Sequence, residues 1–462
     1  MKLIIYELNE IPRRLVDYYI ETFPKSYLAL ICKEGTIINT LTKDSGELHP
    51  WSTWPTVHRG VYNDFHNIRS INQDLSFSKK YPPIWEILNN KNIDIGIFGS
   101  LQSYPPLLGN DIKFYLPDTF APKPKAYPRE LGEFQEFNLK MSEENKAISR
   151  KISFNEIFNF VKLISRGIIS KRSATRTALH IFKEKINPKY KSRRSIIQNV
   201  LTFDIYFKYL NTLKPSFSTY FTNHLAGMMH RYWQDLFPMD FAKRKHKADE
   251  FHASSIIKAM HLADRNLEKL VKFSKKHNYN LWIVSSMGQN AVERGDYIPE
   301  LVLRDLNKTI LNLGLNTEEY KTLPAMQPDY CISCKNKKAF KILKKSIKEI
   351  KDPNQKSILQ ETYSSKGLNL HLSLKRSKIN NTKKFLFINN KKYKFEELGF
   401  ELIKRDKGTA YHSPYGIFAA YGPLSQNLKK YSNNTIETTQ ISPSILNFFN
   451  IEIPDYMNKN IL

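Results

Sequence analysis

The sequence has few cysteines and no long apolar run, and these two absences exclude whole classes of protein. Only three cysteines occur in 462 residues, which is too few for a fold that is stabilised mainly by disulfides. No uninterrupted apolar stretch approaches the ~20 residues that a membrane-spanning helix needs. With 41% hydrophobic and 13% aromatic residues, the chain can bury a core, so it is neither disordered nor fibrous. Its length suits one large core or two to three domains.

Acidic residues are scarce relative to basic ones. The chain carries 71 Lys and Arg against 44 Asp and Glu, a formal net charge of +27. The excess is concentrated in residues 139–215 and 332–405, whereas 1–100 is closer to balanced. Such stretches suit anionic partners, for example acidic glycans or anionic lipid headgroups. Nucleic acid is not expected, because no helix-turn-helix, zinc-finger spacing or aromatic RNA-binding strand accompanies the charge.

The first residues predict a buried strand rather than a secretion signal. Residues 3–6 are apolar, but the run is too short for the core of a signal peptide, and no small-residue cleavage site follows it. We therefore expect a cytoplasmic protein, with peripheral contact with an anionic membrane as an additional expectation.

Residues 1–104 alternate strand and helix patterns, which predicts a mostly parallel sheet covered by helices on both faces. Further strand patterns occur at 216–221, 281–284 and 415–420.

Three stretches interrupt this alternation. Residues 105–128 are rich in proline and predict irregular structure, and 139–215 predict basic helices. Within the latter, the helical apolar stripe of 154–164 fits a core-facing helix or, as the alternative, a helix on a membrane surface. Residues 318–405 predict a Lys-rich insert with a β-hairpin, whose turn is Asn389-Asn390.

Ligands of open parallel sheets bind beyond the carboxyl ends of the strands, so the segments that follow predicted strands are the candidate site. These segments are 7–10, 223–230, 285–289 and the turn around His412. The run 223–233 holds two histidines, an arginine, an amide and two aromatic residues, the composition of a pocket for a polar ligand. The alternative is that His224 and His230 only fill the top of the sheet.

Thr53 is a candidate nucleophile. Pro55 suits the first position of a helix, which would place Thr53 just ahead of a helix N-terminus, where backbone N–H groups favour a phosphate. The alternative is that Thr53 is a plain helix cap.

These segments together resemble the type I phosphodiesterase/nucleotide pyrophosphatase branch of the alkaline phosphatase superfamily. Thr53-Trp54-Pro55-Thr56 and the following 60–68 resemble its nucleophile loop. Residues 416–423 resemble the strand after its last histidine ligand, and 441–457 resemble its closing helix and tail.

The resemblance implies an alkaline-phosphatase-like three-layer α/β/α sandwich with a mostly parallel sheet and two inserts. The expected division places the core in three pieces, with a basic helical cap and a Lys-rich insert between them. In chain order, we expect core at 1–104, the cap at 105–215, core at 216–317, the Lys-rich insert with its β-hairpin at 318–405, and core at 406–462.

Members of that family hold two metal ions with three Asp, three His and the nucleophile, and this sequence departs from the set. Asn9, Asn223 and Ser286 stand where carboxylates are expected, and Met287 stands where a histidine is expected. Zn²⁺ prefers His, Cys or carboxylate ligands. The resemblance therefore implies at most one divalent cation, zinc or manganese, and no organic cofactor.

Two site chemistries stay open. In the first, His230 and His412, together with His224 or a neighbouring glutamate, hold the cation of a reduced phosphoryl-transfer site. In the second, the metals are lost and the cleft binds a different substrate or acts on it by general acid–base chemistry. The candidates for that chemistry are Glu7, Glu10, His49, His58, His224 and His230.

We accordingly expect a phosphodiesterase- or phosphatase-like hydrolase, or a phosphoryl transferase, acting on a phosphate-containing small molecule or glycan, in surface polysaccharide assembly. The alternative is a non-catalytic, metal-free member that binds an anionic glycan or nucleotide. The predicted catalytic residues are Thr53, His224 and Glu10, the predicted substrate-binding residues are Asn9, Asn223, Arg231 and Ser286, and the predicted metal ligands are His230 and His412.

Cys331 and Cys334 form one C-x-x-C pair without a second pair or a histidine at zinc-finger spacing. Ordinary thiols are the expectation.

Overall fold

The structure is a computed structural model that describes all but ten stretches of the chain, and its contacts form two compact units. The first unit comprises residues 1–68, 77–293 and 408–462, and the second comprises 69–76 and 294–407. The undescribed stretches are residues 144–153, 245–246, 294–299, 324, 326–328, 363–366, 376–383, 404–407, 433 and 459–462.

The described residues contain α-helices and β-strands throughout the chain. The helices are α1 Arg13–Thr22, α2 Tyr27–Glu34, α3 Pro50–Arg59, α4 Asn63–His66, α5 Ile84–Asn89, α6 Arg129–Glu143, α7 Phe154–Ser165, α8 Lys171–Ile186, α9 Arg194–Leu213, α10 Ala226–Leu236, α11 Glu250–His277, α12 Leu306–Asn312, α13 Lys337–Ser346 and α14 Ile441–Phe448. The strands are β1 Leu3–Leu8, β2 Thr36–Leu41, β3 Ile95–Phe98, β4 Ile112–Leu116, β5 Phe217–Thr222, β6 Asn280–Val284, β7 Gly288–Ala291, β8 Glu300–Leu303, β9 Tyr320–Leu323, β10 Asp329–Cys334, β11 Ile350–Lys351, β12 Leu359–Glu361, β13 Asn369–Leu374, β14 Phe385–Ile388, β15 Lys391–Lys394, β16 Phe400–Ile403, β17 Ala410–Ser413, β18 Tyr415–Tyr421 and β19 Thr435–Glu437.

An eight-stranded sheet organises the first unit, in the order β19-β2-β18-β6-β1-β5-β3-β4. Neighbouring strands are parallel except at β18, which runs antiparallel to both β2 and β6. The predicted mostly parallel sheet is therefore confirmed.

Alternating side chains of β1 show why helices must cover both faces of this sheet. Ile4, Tyr6 and Leu8 enter a core shared with α1, α2, α9, α10 and α11. Leu3 and Ile5 enter a second core, shared with α3, α5 and α14. Because successive residues of a strand point to opposite faces, a strand buried on both sides needs a helical layer on each. This arrangement is the three-layer α/β/α sandwich that the sequence predicted.

The central strands bring three chain segments to one edge of the sheet. β1 lies between β5 and β6 and is parallel to both, with Leu8 opposite Thr222 and Glu7 opposite Val284. The residues that directly follow these strands therefore meet at the carboxyl edge. They are Asn9-Glu10 after β1, Asn223 after β5 and Ser285-Ser286 after β6.

The second unit has its own small core and antiparallel sheets. One sheet has the order β12-β13-β10-β9 and another has the order β11-β14-β15. The predicted hairpin is present as β14 and β15, and Asn389 and Asn390 form its turn with positive φ angles of 49° and 65°. Cys331 and Cys334 are buried in β10, and burial raises the pKa of the Cys331 thiol to about 12.

One local expectation was wrong. The Pro-rich stretch 105–128 is not wholly irregular, because β4 pairs in parallel with β3 and forms an edge strand of the main sheet. The apolar side chains of Ile112, Phe114 and Leu116 are buried there, and this burial outweighs the flanking prolines. The domain boundaries that we derived from the sequence stay predictions.

Within the described residues, no helix combines the length and the apolar character that crossing a membrane requires.

Gly288 provides a test of the packing at the sheet edge. A Cβ atom added at Gly288 would lie 2.1 Å from the backbone oxygen of Tyr415, so the backbone must shift to accept any side chain. We predict that Gly288→Ala lowers the free energy of unfolding by about 1–3 kcal/mol, measured by urea denaturation. Gly227→Ala is the matched control, because its nearest neighbour, an Arg231 nitrogen, is 3.5 Å away and the residue is helical. The free energy of unfolding of the control should rise by about 0.5–1 kcal/mol. Equal stability of the two variants would contradict the close packing of Gly288 against the backbone of Tyr415.

Candidate metal centre

Glu10 is the centre of the site, and its backbone is held in an unusual conformation. It lies two residues after the end of β1, and its φ angle is +61°, in the left-handed region that residues other than glycine rarely adopt. Its side chain is only 2% exposed. Such strain persists only where the surroundings over-determine the conformation, and it is concentrated at functional sites.

Two histidines from separate elements converge on the Glu10 carboxylate. His230 lies on α10, and its Nε2 atom is 3.0 Å from Glu10 Oε2. His412 lies on β17, and its Nε2 atom is 3.5 Å from the same oxygen. One ligand atom from each of the three residues lies within 4.8 Å of the others.

Two amides donate hydrogen bonds to the same carboxylate. Gln289 Nε2 donates to Oε2 over 2.5 Å, and Asn9 Nδ2 donates to Oε1 over 2.9 Å. Gln289 reaches this position because β7 and β17 pair antiparallel, with Gln289 directly opposite His412. The β7–β17 ribbon therefore delivers a histidine and a glutamine to Glu10 together.

The charges of the cluster are coupled. Burial alone would raise the pKa of Glu10, but His412, His230 and the hydrogen bonds from His230 and Gln289 hold that pKa at about 2. Burial opposes a charge on His230, yet Glu10 raises the pKa of His230 above its usual value. Burial lowers the pKa of His412, and the neighbouring His230 lowers it further. The carboxylate of Glu10 is therefore ionised, and of the two histidines it is His230 whose protonated form Glu10 favours.

The donor set fits a divalent cation. His230 Nδ1 donates to the backbone oxygen of Ala410 over 2.9 Å, which leaves Nε2 as the atom that faces Glu10. Metal-ligating histidines commonly make this second hydrogen bond, because it fixes the ring and its tautomer. Two imidazoles and one carboxylate form a ligand set found in catalytic zinc sites and other transition-metal sites. A cation bound there would exclude a proton from the Nε2 atom of His230.

Residues that stand in place of the other metal ligands of the resembled family bind one another instead. Asn9 Nδ2 also donates to Asn223 Oδ1 over 2.7 Å, and Asn9 Oδ1 accepts from Trp54 Nε1 over 2.8 Å. Both ends of the Asn9 amide are thus engaged with protein groups. The Met287 side chain is fully buried. An amide network therefore stands where the family that the sequence resembles has metal-ligating carboxylates.

Thr53 lies beside Ser286, but not at a helix N-terminus. Its Oγ1 is 2.8 Å from Ser286 Oγ, and its side chain is fully buried. The predicted helix start at Pro55 was wrong, because α3 begins at Pro50 and the Thr53 N–H already donates to the His49 oxygen. Pro50 fills the first helical position, where a missing N–H costs nothing, and Pro55 lies inside the helix.

The remaining predicted residues occupy different positions. Both ring nitrogens of His224 are engaged inside the core, with Thr222 Oγ1 at 2.8 Å and the Ala259 oxygen at 3.1 Å. Burial lowers the pKa of His224 to about 4, so the geometry favours a structural role for it. Arg231 is half-buried next to His230, and Asn223 is exposed.

Two of the other acid–base candidates form a separate pair. His58 Nε2 is 2.7 Å from Glu7 Oε1, and both residues are buried. His49 stacks on Trp51 with ring centroids 4.4 Å apart and contacts His412 edge-on. Burial and His412 lower the pKa of His49 to about 4, so His49 is a neutral ring beside the cluster.

The sequence patterns alone did not single out Gln289 and did not assign Glu10 to the metal. Gln289 lies in the segment 285–289 that follows a predicted strand, but its strand pairing with His412 cannot be recognised from spacing. Glu10 differs from a surface glutamate only through its left-handed backbone, which the sequence does not reveal.

The site thus combines a three-layer α/β/α fold with a buried carboxylate and two histidines at the carboxyl edge of the sheet. No protein-family model matches the chain, and no curated protein matches it.

Solved structures are similar to this chain over nearly its whole length. Murine ectonucleotide pyrophosphatase/phosphodiesterase 5 is 12% identical with a TM-score of 0.41, covering 99% of this chain and 98% of its own. Phosphonoacetate hydrolase from Sinorhizobium meliloti, in complex with phosphonoformate, is 10% identical with a TM-score of 0.41, covering 96% and 94%. Alkaline phosphatase from the Antarctic bacterium TAB5 is 12% identical with a TM-score of 0.40, covering 98% and 99%. These are members of the superfamily that the sequence motifs resemble.

Replacing the Asn9 amide tests the hydrogen-bond network that Asn9 forms with Glu10, Asn223 and Trp54. Asn9→Asp removes both donated hydrogen bonds and sets a second carboxylate against Glu10. We predict a loss of about 1–3 kcal/mol in the free energy of unfolding, measured by urea denaturation in the presence of a chelator. Asn223→Asp is the control, since Asn223 only accepts from Asn9 and a carboxylate accepts equally well. A loss in the control as large as in Asn9→Asp would contradict this hydrogen-bond assignment.

Proposed function

We propose that this protein is a phosphoester hydrolase or phosphoryl transferase that uses one divalent cation, zinc or manganese, held by Glu10, His230 and His412. The observation that supports this proposal is the convergence of these three residues on one point at the carboxyl edge of the sheet. The proposed substrate is a phosphate-containing small molecule or glycan. A role in surface polysaccharide assembly and a cytoplasmic location stay predictions.

The cation would supply Lewis acidity toward a phosphoryl oxygen. The side chains around it would position the ligands, bind the substrate and supply the nucleophile. Gln289 and Asn9 hold the Glu10 carboxylate in place, and Ala410 orients the His230 ring. Arg231 and the exposed amide of Asn223 would bind phosphoryl oxygens. Thr53 is the proposed nucleophile, and Ser286 orients its hydroxyl through their hydrogen bond.

A second candidate function is the binding of an anionic glycan or nucleotide without turnover. The complete burial of the Thr53 side chain favours it, because a nucleophile must reach the substrate. Both candidates place the anionic ligand at the same edge of the sheet, so metal content and turnover distinguish them.

Metal content and turnover should be lost together when the cluster is altered. We predict that the purified protein holds one zinc or manganese ion per chain by elemental analysis, and that it hydrolyses bis(4-nitrophenyl) phosphate or a nucleotide sugar. Glu10→Gln and His230→Ala should each lose the ion and reduce turnover by roughly a hundredfold or more. His277→Ala, at the distant end of α11, is the control and should keep both. A wild-type protein that binds neither ion and turns over no phosphoester, but binds such an anion tightly, would support the second candidate.

Thr53 can be tested separately from the metal. If its hydroxyl attacks phosphorus, Thr53→Ala should reduce kcat by several orders of magnitude while leaving the ion bound. The lost hydrogen bond to Ser286 should cost only about 1 kcal/mol of stability. Thr53→Ser retains a hydroxyl and should retain measurable turnover. Unchanged kcat in Thr53→Ala would exclude Thr53 as the nucleophile.

A further inference from the structure

Helix α8 is oriented with its apolar side chains outward. Leu179, Phe182 and Ile186 are 55%, 60% and 69% exposed, and their spacing of three and four residues places them on one face. A helix of a soluble core normally buries such a stripe. Scattered exposed apolar residues are ordinary, whereas a contiguous stripe of them marks an interaction surface.

The inward face of α8 is polar, so the helix is attached to the protein through polar contacts while its apolar stripe faces outward. Ser173, His180 and Glu184 are the buried residues of this helix. Glu184 forms a salt bridge with Arg194 of α9, with Nη2 and Oε2 2.6 Å apart, and it also lies 3.2 Å from His180 Nε2. The polar face of α8 therefore contacts the rest of the protein, and the side chains of its apolar stripe are exposed.

Basic side chains border the stripe on both sides. Residues 171–194 contain nine Lys and Arg and a single acidic residue, Glu184, whose charge Arg194 balances. By helical position, Lys185 borders one side of the stripe and Lys183 borders the other. Lys171 and Arg172 continue these same two sides about two turns toward the N-terminus of α8. All four are exposed. An apolar stripe between two rows of cations is typical of helices that lie in the interface of an anionic membrane.

We propose that α8 docks this protein onto an anionic phospholipid surface. Its axis would lie in the membrane plane, with Leu179, Phe182 and Ile186 in the boundary between headgroups and acyl chains. The flanking Lys and Arg would contact lipid phosphates. The charge complementarity selects this occupant, since a neutral apolar partner would leave the two rows of cations unpaired. The proposal concerns a surface outside the cation site and does not depend on its chemistry.

Vesicle flotation tests the proposal on the full-length chain. The wild-type protein should float with vesicles of phosphatidylcholine containing about 30% phosphatidylglycerol, and not with phosphatidylcholine alone. Binding should weaken as salt is raised, because the Debye length falls. The triple variant Leu179→Ser, Phe182→Ser, Ile186→Ser should bind these vesicles at least roughly tenfold more weakly.

Matched variants separate the stripe from general adhesion. Leu108 and Met239 are 76% and 81% exposed, and Leu108→Ser with Met239→Ser should leave vesicle binding unchanged. The double variant Lys171→Gln, Lys185→Gln should bind the anionic vesicles more weakly than the wild type at low salt. Its binding at low salt should lie closer to the binding of the wild type at high salt. All of these positions are exposed, and thermal unfolding checks that each variant keeps the wild-type fold.

Three results would overturn the proposal. The first is a wild-type protein that does not float with anionic vesicles. The second is equal binding of the wild type and the triple variant, which would assign adhesion to charge alone. The third is a wild-type oligomer in light scattering that the triple variant converts to a monomer without any vesicle binding, which would assign the stripe to contact between copies of this chain.

Discussion

The candidate site depends on one constraint, which is that a buried carboxylate must be compensated. Glu10 is almost completely buried at a strained backbone position, and an unpaired charge there would be prohibitively costly. His230, His412, Gln289 and Asn9 together satisfy it. Since these residues come from a helix, a two-stranded ribbon and the end of β1, Glu10 also fixes how those elements meet. The same concentration of ligands around one point makes the cluster suitable for a cation.

In place of the other metal ligands of the family that the sequence resembles, this chain has a network of neutral groups. Asn9 links Glu10, Asn223 and Trp54, while Thr53 pairs with Ser286. Amides can donate as well as accept, so they bind one another without an ion, whereas a group of carboxylates in the same place would need positive charge between them. The substitutions are therefore consistent with one another, and they support a site for one ion instead of two.

The sheet was predictable from the sequence because short apolar runs separated by helical patterns specify parallel strands. The edge strand β4 was not, because prolines on both sides conceal its buried residues Phe114 and Leu116. His230 and His412 could be named as ligands through the resemblance, but their third partner could not be chosen between His224 and a glutamate. That choice depends on a positive φ at Glu10 and on the pairing of β7 with β17. Neither follows from local sequence, because both are set by tertiary contacts. The start of α3 was misplaced for a related reason, since Pro50 and Pro55 are both acceptable first residues.

The proposed site holds one cation at Glu10, His230 and His412, and none lies in the amide network beside it. A crystal structure of the protein grown with zinc or manganese, with anomalous diffraction measured at the absorption edge of the metal, tests this most directly. We expect one anomalous peak, within bonding distance of Glu10 and of the Nε2 atoms of both histidines. A second peak between Asn9, Thr53 and Ser286, or the absence of a peak at Glu10, would contradict it.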